Sequence, residues 1–198
     1  MDGKELVSGA AYDVYMDIKK RTNGEIYFGV VGPVRTGKST FIKRFMELCV
    51  LPSMKDDNKR KRAQDELPQS SGGTTVMTVE PKFIPSEAAL ISPFEGINMK
   101  VRLVDCVGFM VEGANGHLDN GKERMVKTPW DTKEIAFSKA AEIGTKKVIN
   151  DHSTIGIVVT TDGSFTEIDR TNYIVAEKKT INELKKINKP FVVILNSD

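Results

Sequence analysis

Residues 32–39 read Gly-Pro-Val-Arg-Thr-Gly-Lys-Ser. Glycines at the two ends of such a run let successive backbone N–H groups converge on phosphate oxygens. The lysine that follows can reach the β- and γ-phosphates of a nucleoside triphosphate, and the adjacent hydroxyl can sit on Mg²⁺. The pattern carries this meaning only when a strand feeds the loop and a helix leaves it. Here the apolar run Ile-Tyr-Phe-Gly-Val-Val precedes it, and Thr-Phe-Ile-Lys-Arg-Phe-Met-Glu-Leu follows. The expected nucleotide-binding residues are therefore Gly32, Pro33, Val34, Arg35, Thr36, Gly37, Lys38, Ser39 and Thr40, with the positive end of the helix dipole adding to the attraction for an anion.

A second constellation lies downstream. Leu-Val-Asp-Cys-Val-Gly at 103–108 ends an apolar stretch with an acid, two residues and a glycine. Asp105 is expected to hold Mg²⁺ through a water, and the Gly108 N–H to touch the γ-phosphate. A threonine should complete the metal shell. Thr74, Thr75 and Thr78 stand in the right interval, with Thr75 and Thr78 preferred and not separable from one another, since threonine is also simply a good strand residue. The candidate catalytic residues are thus Lys38, Arg35, Asp105, Thr75 and Thr78, and the candidate metal ligands Ser39, Asp105, Thr75 and Thr78.

The elements that must position these residues alternate. Apolar residues four apart at Leu6, Ala10, Val14 and Ile18 predict a helix over 4–21, stopped by Thr-Asn-Gly. Strands are expected at 25–31, 75–84, 98–105, 155–161 and 190–196, the last two as buried strands. The short connection between the second and third suits an antiparallel ribbon. Helices are expected from the glycine loop to about residue 51, over 134–150 with Phe137, Ala140, Ala141, Gly144 and Val148 on one face, and over 169–186 with Ile174, Ile181 and Leu184 on one side. Residues 53–73 are polar and charge-dense. They read as a solvated loop, with the basic run at 60–62 as a second possibility for facing a phosphate or a partner. A long irregular stretch is expected from Gly108 to about Lys133. Strands alternating with helices imply a mostly parallel sheet with the loops at its carboxyl ends.

Composition narrows the setting. The chain has 198 residues and a net charge of +2, so neither nucleic acid nor a membrane surface is expected to attract it electrostatically. Its longest apolar runs are of strand length, too short to span a bilayer. Two distant cysteines, Cys49 and Cys106, fit buried thiols in a reducing compartment. The isolated His117 and His152 lack the neighbours of a zinc site.

Together the glycine loop, the Asp105–Gly108 run and the antiparallel strand between them resemble the small-G-protein-like (translation-factor-related) class of P-loop NTPases. The resemblance implies an α/β three-layer sandwich, mostly parallel with one antiparallel strand. Two departures stand out. That class reads guanine with Asn-Lys-x-Asp after a late strand, whereas this chain has Asn196-Ser197-Asp198, without the lysine and with the acid out of step. ATP becomes plausible and GTP stays open. Phe109 also stands where many members carry a water-orienting glutamine. Guanylate-binding proteins carry an arginine in a similar loop that acts as a finger in cis, which makes Arg35 a candidate for stabilising transition-state charge; a loop-bracing role is the alternative.

Longer strings are more specific. Tyr-Phe-Gly-Val-Val-Gly-Pro-Val-Arg-Thr-Gly-Lys-Ser-Thr-Phe-Ile-Lys at 27–43, Ala-Gln-Asp-Glu-Leu-Pro-Gln-Ser at 63–70, Arg-Leu-Val-Asp-Cys-Val-Gly at 102–108, Ala-Ala-Glu-Ile-Gly-Thr at 140–145 and His-Ser-Thr-Ile-Gly at 152–156 resemble the N-terminal domain of the stage IV sporulation protein A family of spore-coat morphogenetic ATPases. The resemblance runs from about residue 15 to the end. It implies hydrolysis of ATP with Mg²⁺, and self-assembly into a homopolymer that forms the basement layer of the spore coat. It also implies a place in the mother-cell cytoplasm on the surface of the developing spore. The implied partners are a small amphipathic membrane-anchoring peptide and other coat proteins, with the membrane surface met through regions outside this chain and no nucleic acid bound. Lys38, Ser39 and Asp105 match the family's nucleotide and metal positions. The expected division is an N-terminal helical segment, 1–24, and an NTPase domain, 25–198, truncated at its carboxyl end. The competing expectation is a GTP-binding switch of low intrinsic hydrolysis acting through a partner.

Overall fold

A computed structural model describes residues 24–68, 79–94, 97–119 and 121–197. The helix expected over 4–21, the two candidate threonines Thr75 and Thr78, and Asp198 lie outside the described residues. The first strand, β1 (Glu25–Val31), runs into the glycine loop, and α1 (Lys38–Phe45) leaves it. The helix continues as a π-type turn, Met46–Val50, and a 3₁₀ turn, Leu51–Ser53, where Pro52 ends the ladder. Next come α2 (Asp57–Asp65), β2 (Lys82–Phe94) and β3 (Ile97–Asp105). Two small hairpins follow: β4 (Leu118–Asp119) with β5 (Lys122–Glu123), and β6 (Met125–Thr128) with β7 (Asp131–Ala136). The chain then forms α3 (Phe137–Lys147), a π-type turn at Val148–His152, β8 (Ile155–Thr161), α4 (Arg170–Lys186) and β9 (Phe191–Asn196).

The central sheet has the order β2-β3-β1-β8-β9. β1 lies between β3 and β8, parallel to both, and β9 is parallel to β8. β2 pairs antiparallel with β3 as expected, but it runs over Lys82–Phe94 and not 75–84, so most of the stretch expected as the connection is strand. Central strands buried on both faces must be apolar nearly throughout, and β1 and β8 are. On one face Ile42, Met46 and Val50 pack against Ile84, Val101, Leu103 and Val159. On the other, Val148, Ile149, Tyr173, Ala176 and Leu184 pack against Val31, Val104 and Val158. This is a mixed α/β fold with a mostly parallel sheet, consistent with a P-loop NTPase domain. Among the described residues no helix is long and apolar enough to cross a membrane.

Several expectations need correction. Residues 57–65, read as part of a loop, form α2. Its apolar content is almost nil, with Ala63 the one buried side chain, so it leaves no hydrophobic period. The helix is set by its cap: the Asp56 carboxylate accepts from Asn58 N at 2.9 Å and Lys59 N at 3.0 Å. At its far end the Glu66 carboxylate takes the Ser86 N–H and hydroxyl, both at 2.6 Å, tying α2 to β2. Two residues of the basic run meet neighbours: Arg60 lies 2.8 Å from Asp57, and Arg62, with Lys59, leans toward Glu87.

The stretch after Gly108 is not irregular throughout, since it holds both hairpins, with strands too short to show alternation. α3 begins at Phe137 rather than 134 because β7 runs to Ala136; its apolar face is buried as expected. α4 buries Tyr173, Ala176, Thr180 and Leu184, leaving Ile174 on the exposed side. Thr180 can be buried because its hydroxyl donates to the Ala176 carbonyl. β9, expected to be buried, pairs among the described residues only with β8 and exposes Val192, Val193 and Leu195 by more than half. Cys106 is buried but Cys49 is exposed.

Candidate functional site

Parallel pairing of β1, β3, β8 and β9 brings their carboxyl ends to one edge of the sheet, where ligands bind in open α/β folds. The loop after β1 ends at Gly37, the N-cap of α1, with φ 88° and no side chain capping the helix. No acidic residue occupies the first turn. The first N–H groups of α1 are thus free of the usual internal competitors for an anion. Inside the loop Thr36 is buried and its hydroxyl donates to the Pro33 carbonyl at 3.0 Å. The Lys38 ammonium donates to the same carbonyl at 2.5 Å and is only 5% exposed. Burial lowers its pKa; the neighbouring Cys106 and Asp105 work in the opposite direction.

Asp105 closes β3 directly opposite. Ser39 Oγ donates to Asp105 Oδ2 at 2.7 Å. The other oxygen, Oδ1, is buried and has no hydrogen-bond partner among the described residues. Burial raises the Asp105 pKa, while the Ser39 hydroxyl and then Lys38 oppose that rise. A buried carboxylate oxygen without a partner is costly, and a divalent cation shared with Ser39 would satisfy it. The donor set, a hydroxyl and a carboxylate, is the hard oxygen chemistry that suits Mg²⁺. Cys106, next in sequence, donates to the Val30 carbonyl; burial pushes its thiol up to about 11, so it stays protonated and takes no part as a thiolate.

The loop after β3 lies against the glycine loop. Gly108 has φ 98°, and a Cβ there would come within 2.3 Å of the Gly32 carbonyl and 2.7 Å of Lys38 Nζ. Phe109 N–H donates to Gly32 O at 3.2 Å, and Val34 N–H donates to Phe109 O at 2.9 Å. The Phe109 ring is buried in the core and cannot act on water.

The structure therefore gathers the loop residues from Gly32 to Thr40 with Asp105 and Gly108 in one place. Ser39 and Thr40 are exposed at the start of α1. Arg35 sits within the loop at φ 60°, a left-handed conformation that a non-glycine residue adopts only where its surroundings hold it there. One contributor was read from the sequence only as part of the base-reading segment. Asn196, at the end of β9, donates from Nδ2 to the Thr36 carbonyl at 3.2 Å, and a Cβ on Gly37 would meet it at 2.4 Å. Its signal was its position at the carboxyl end of a strand predicted to be parallel. A cavity of about 570 Å³ between α2 and β2 is separate from this site.

Comparison with known proteins gives the family. Residues 10–198 match the family model described as stage IV sporulation protein A, ATPase domain. Stage IV sporulation protein A of Clostridioides difficile (strain 630) is 58% identical over 185 residues, that of Bacillus anthracis 57%, and that of Bacillus subtilis (strain 168) 56%. Each alignment covers 93% of this chain and 38% of the relative, so the chain spans well under half the length of these proteins. A glycine loop facing a strand-end aspartate, within a match that runs almost end to end, places this chain in the stage IV sporulation protein A ATPase-domain family.

Proposed function

We propose that this chain is a Mg²⁺-dependent ATPase domain of the small-G-protein-like class of P-loop NTPases. We further propose that its turnover drives self-assembly of the whole protein in the basement layer of the spore coat. The observation that carries the reading is the Ser39–Asp105 pair at 2.7 Å, with Asp105 Oδ1 buried and, among the described residues, unpartnered near the buried ammonium of Lys38. The antiparallel β2 ahead of β3 supports the class.

In this reading the amides of the loop and of the first turn of α1 hold the phosphates, and Lys38 adds a full positive charge where negative charge builds on the terminal phosphoryl group. Ser39 and Asp105 would hold Mg²⁺, with Thr75 or Thr78 completing the shell. Bound Mg²⁺–ATP would supply the labile phosphoanhydride and a divalent charge across its terminal oxygens. Gly108, which cannot carry a side chain at its approach to Lys38, leaves its N–H for the γ-phosphate. Arg35 is the remaining cation in the loop and the candidate for stabilising charge that Phe109 cannot. ATP is favoured over GTP because Ser197 stands where guanine readers carry lysine, and because the family description names an ATPase. The match to stage IV sporulation proteins supports a place in the mother-cell cytoplasm at the spore surface. A small membrane-anchoring peptide, other coat proteins and further copies of the protein are the proposed partners.

The test is phosphate release from ATP and from GTP, with and without Mg²⁺, by this chain and by the full-length protein. ATP turnover that requires Mg²⁺ and disappears in Lys38→Ala is expected. Preference for GTP would favour the competing reading of a GTP-binding switch, which draws on the Asn196 contact with the loop. Undiminished turnover in Lys38→Ala would place the chemistry elsewhere.

A further inference from the structure

We propose that Lys179 is a positioning residue: from α4 it seats Phe109, and through Phe109 it fixes the carbonyl that meets the Lys38 ammonium. Phe109 is 3% exposed and packs with Tyr173 and Ala176. Its side chain does no chemistry, but its backbone brackets the glycine loop. Its N–H donates to Gly32 O and its carbonyl accepts from Val34 N–H, at 3.2 and 2.9 Å. Between those two residues lies Pro33, whose carbonyl receives both the Thr36 hydroxyl and the Lys38 ammonium. Where Phe109 sits therefore decides where that carbonyl points.

Lys179 holds the ring. Its Nζ lies 4.7 Å from the Phe109 centroid. The ammonium is fixed from the other side by Glu142 of α3, Oε2 at 3.0 Å, and the second Glu142 oxygen takes Lys146 at 2.8 Å. A line of contacts thus runs from α3 through Glu142, Lys179 and Phe109 to the loop around Lys38. A lysine serving only Glu142 would not need to lie over the aromatic face. Cation–π attraction favours that placement, and it holds Phe109 without burying a polar group beside the phosphates.

The proposal rests on the ATPase reading for its kinetic half and on geometry alone for the other. The experiment compares full-length wild type with Lys179→Met, which keeps the apolar stem and removes the charge, and with Lys179→Arg, which can both stack and pair. An exposed cation–π contact is of a size to change an equilibrium about two- to fivefold. In Lys179→Met, kcat should fall by about that factor with KM for ATP nearly unchanged. Hydrogen exchange at the Phe109 and Val34 amides should quicken by a similar factor, and Lys179→Arg should restore both. Glu142→Gln, which leaves Lys179 a neutral and weaker acceptor, should fall between. Unchanged exchange at those two amides in Lys179→Met overturns the proposal, as does exchange that rises equally along the whole of α4. Equal changes in kcat and KM overturn it too. Absence of ATP turnover in wild type would refute the ATPase reading, and the exchange comparison would still decide the role of Lys179.

Discussion

Replacing Asp105 by Asn should make the protein more stable on its own and less able to gain stability from its ligand. Asp105 Oδ1 is buried without a partner among the described residues, and burial is the largest influence on the group, raising its pKa. An unsatisfied buried acceptor costs about 1–3 kcal/mol, and more when charged. Asn is nearly isosteric and can still accept from Ser39 Oγ; a neutral buried amide N–H group then replaces the unpaired charge at Oδ1, and what is lost is the charge assistance in the Ser39 and Cys106 N–H bonds and the attraction of Lys38. These losses amount to about 1 kcal/mol together. The net gain is about 1 kcal/mol, or about 2–4 °C in Tm for a domain of this size. The sign against pH follows from the raised pKa. The folded protein holds the proton more tightly than the unfolded chain, so this group's contribution to stability increases as pH falls through the folded value toward 3.8. The variant should lose that part of the slope. With nucleotide the order reverses. A ligand at a hundred times its Kd adds about 2.7 kcal/mol, and the Mg²⁺-dependent share of that gain should vanish in Asp105→Asn. Thermal melts of both proteins alone, with ATP and EDTA, and with ATP and Mg²⁺ read all of this. A variant that melts lower without nucleotide, or that keeps the full Mg²⁺-dependent increment, refutes the reasoning.

The other expectations separate chemistry from architecture. Arg35→Ala should lower kcat by at least tenfold with nucleotide affinity within about twofold, as for a charge used mainly in the transition state; equal losses in kinetics and in equilibrium binding would mark a bracing residue instead. Asp56→Ala removes the cap of α2 and should cost about 1 kcal/mol, read as a lower denaturation midpoint with turnover unchanged, because α2 lies away from the glycine loop. Glu142 is paired first with Lys146 and then with Lys179, and its pKa is lowered to about 2 from 4.5. Its contribution is therefore present above pH 4.5 and lost as pH falls from there through about 2. A comparison of acid unfolding in wild type and Glu142→Gln should show a shallower loss in the variant across that window.

What could be read from the sequence followed the residues whose constraint is local. The glycine loop, its flanking strand and helix, and the acid at the end of β3 are set by spacing within a few residues. The fold brings them together at one edge of the sheet. β8 was legible because burial on both faces leaves an apolar run; α4 was legible as a helix, but its buried face runs through Tyr173, Ala176 and Thr180, which an apolar period through Ile174 and Ile181 misses. α2 was not, because its stability comes from one cap and from side chains that meet β2 twenty residues away in sequence. The exposure of β9 was equally invisible: Phe-Val-Val-Ile-Leu reads as buried whether or not another strand lies beside it. Asn196 could be placed at the right edge of the sheet, but its bond to the Thr36 carbonyl depends on how β8 and β9 register, which no local pattern encodes.

Lys38 and Asp105 pose one energetic problem between them. Burial disfavours the charged form of each, so the folded protein holds an ammonium and a carboxylate at a cost to its own stability. Such a cost persists where function recovers it. A triphosphate would bring negative charge to the ammonium and to the open end of α1, and a divalent ion would give Asp105 Oδ1 the partner it lacks. Each component relieves a different member of the pair, so neither relieves the site fully alone. Binding of nucleotide and metal should therefore be mutually reinforcing, each raising the other's affinity by the same factor. Titrating Mg²⁺ at several fixed ATP concentrations, and ATP at several fixed Mg²⁺ concentrations after correction for the complex they form in solution, should return one coupling factor well above unity. In Asp105→Asn that factor should fall to near one while affinity for metal-free nucleotide persists. If the variant kept the wild-type factor, metal coupling would have to run through groups other than this carboxylate.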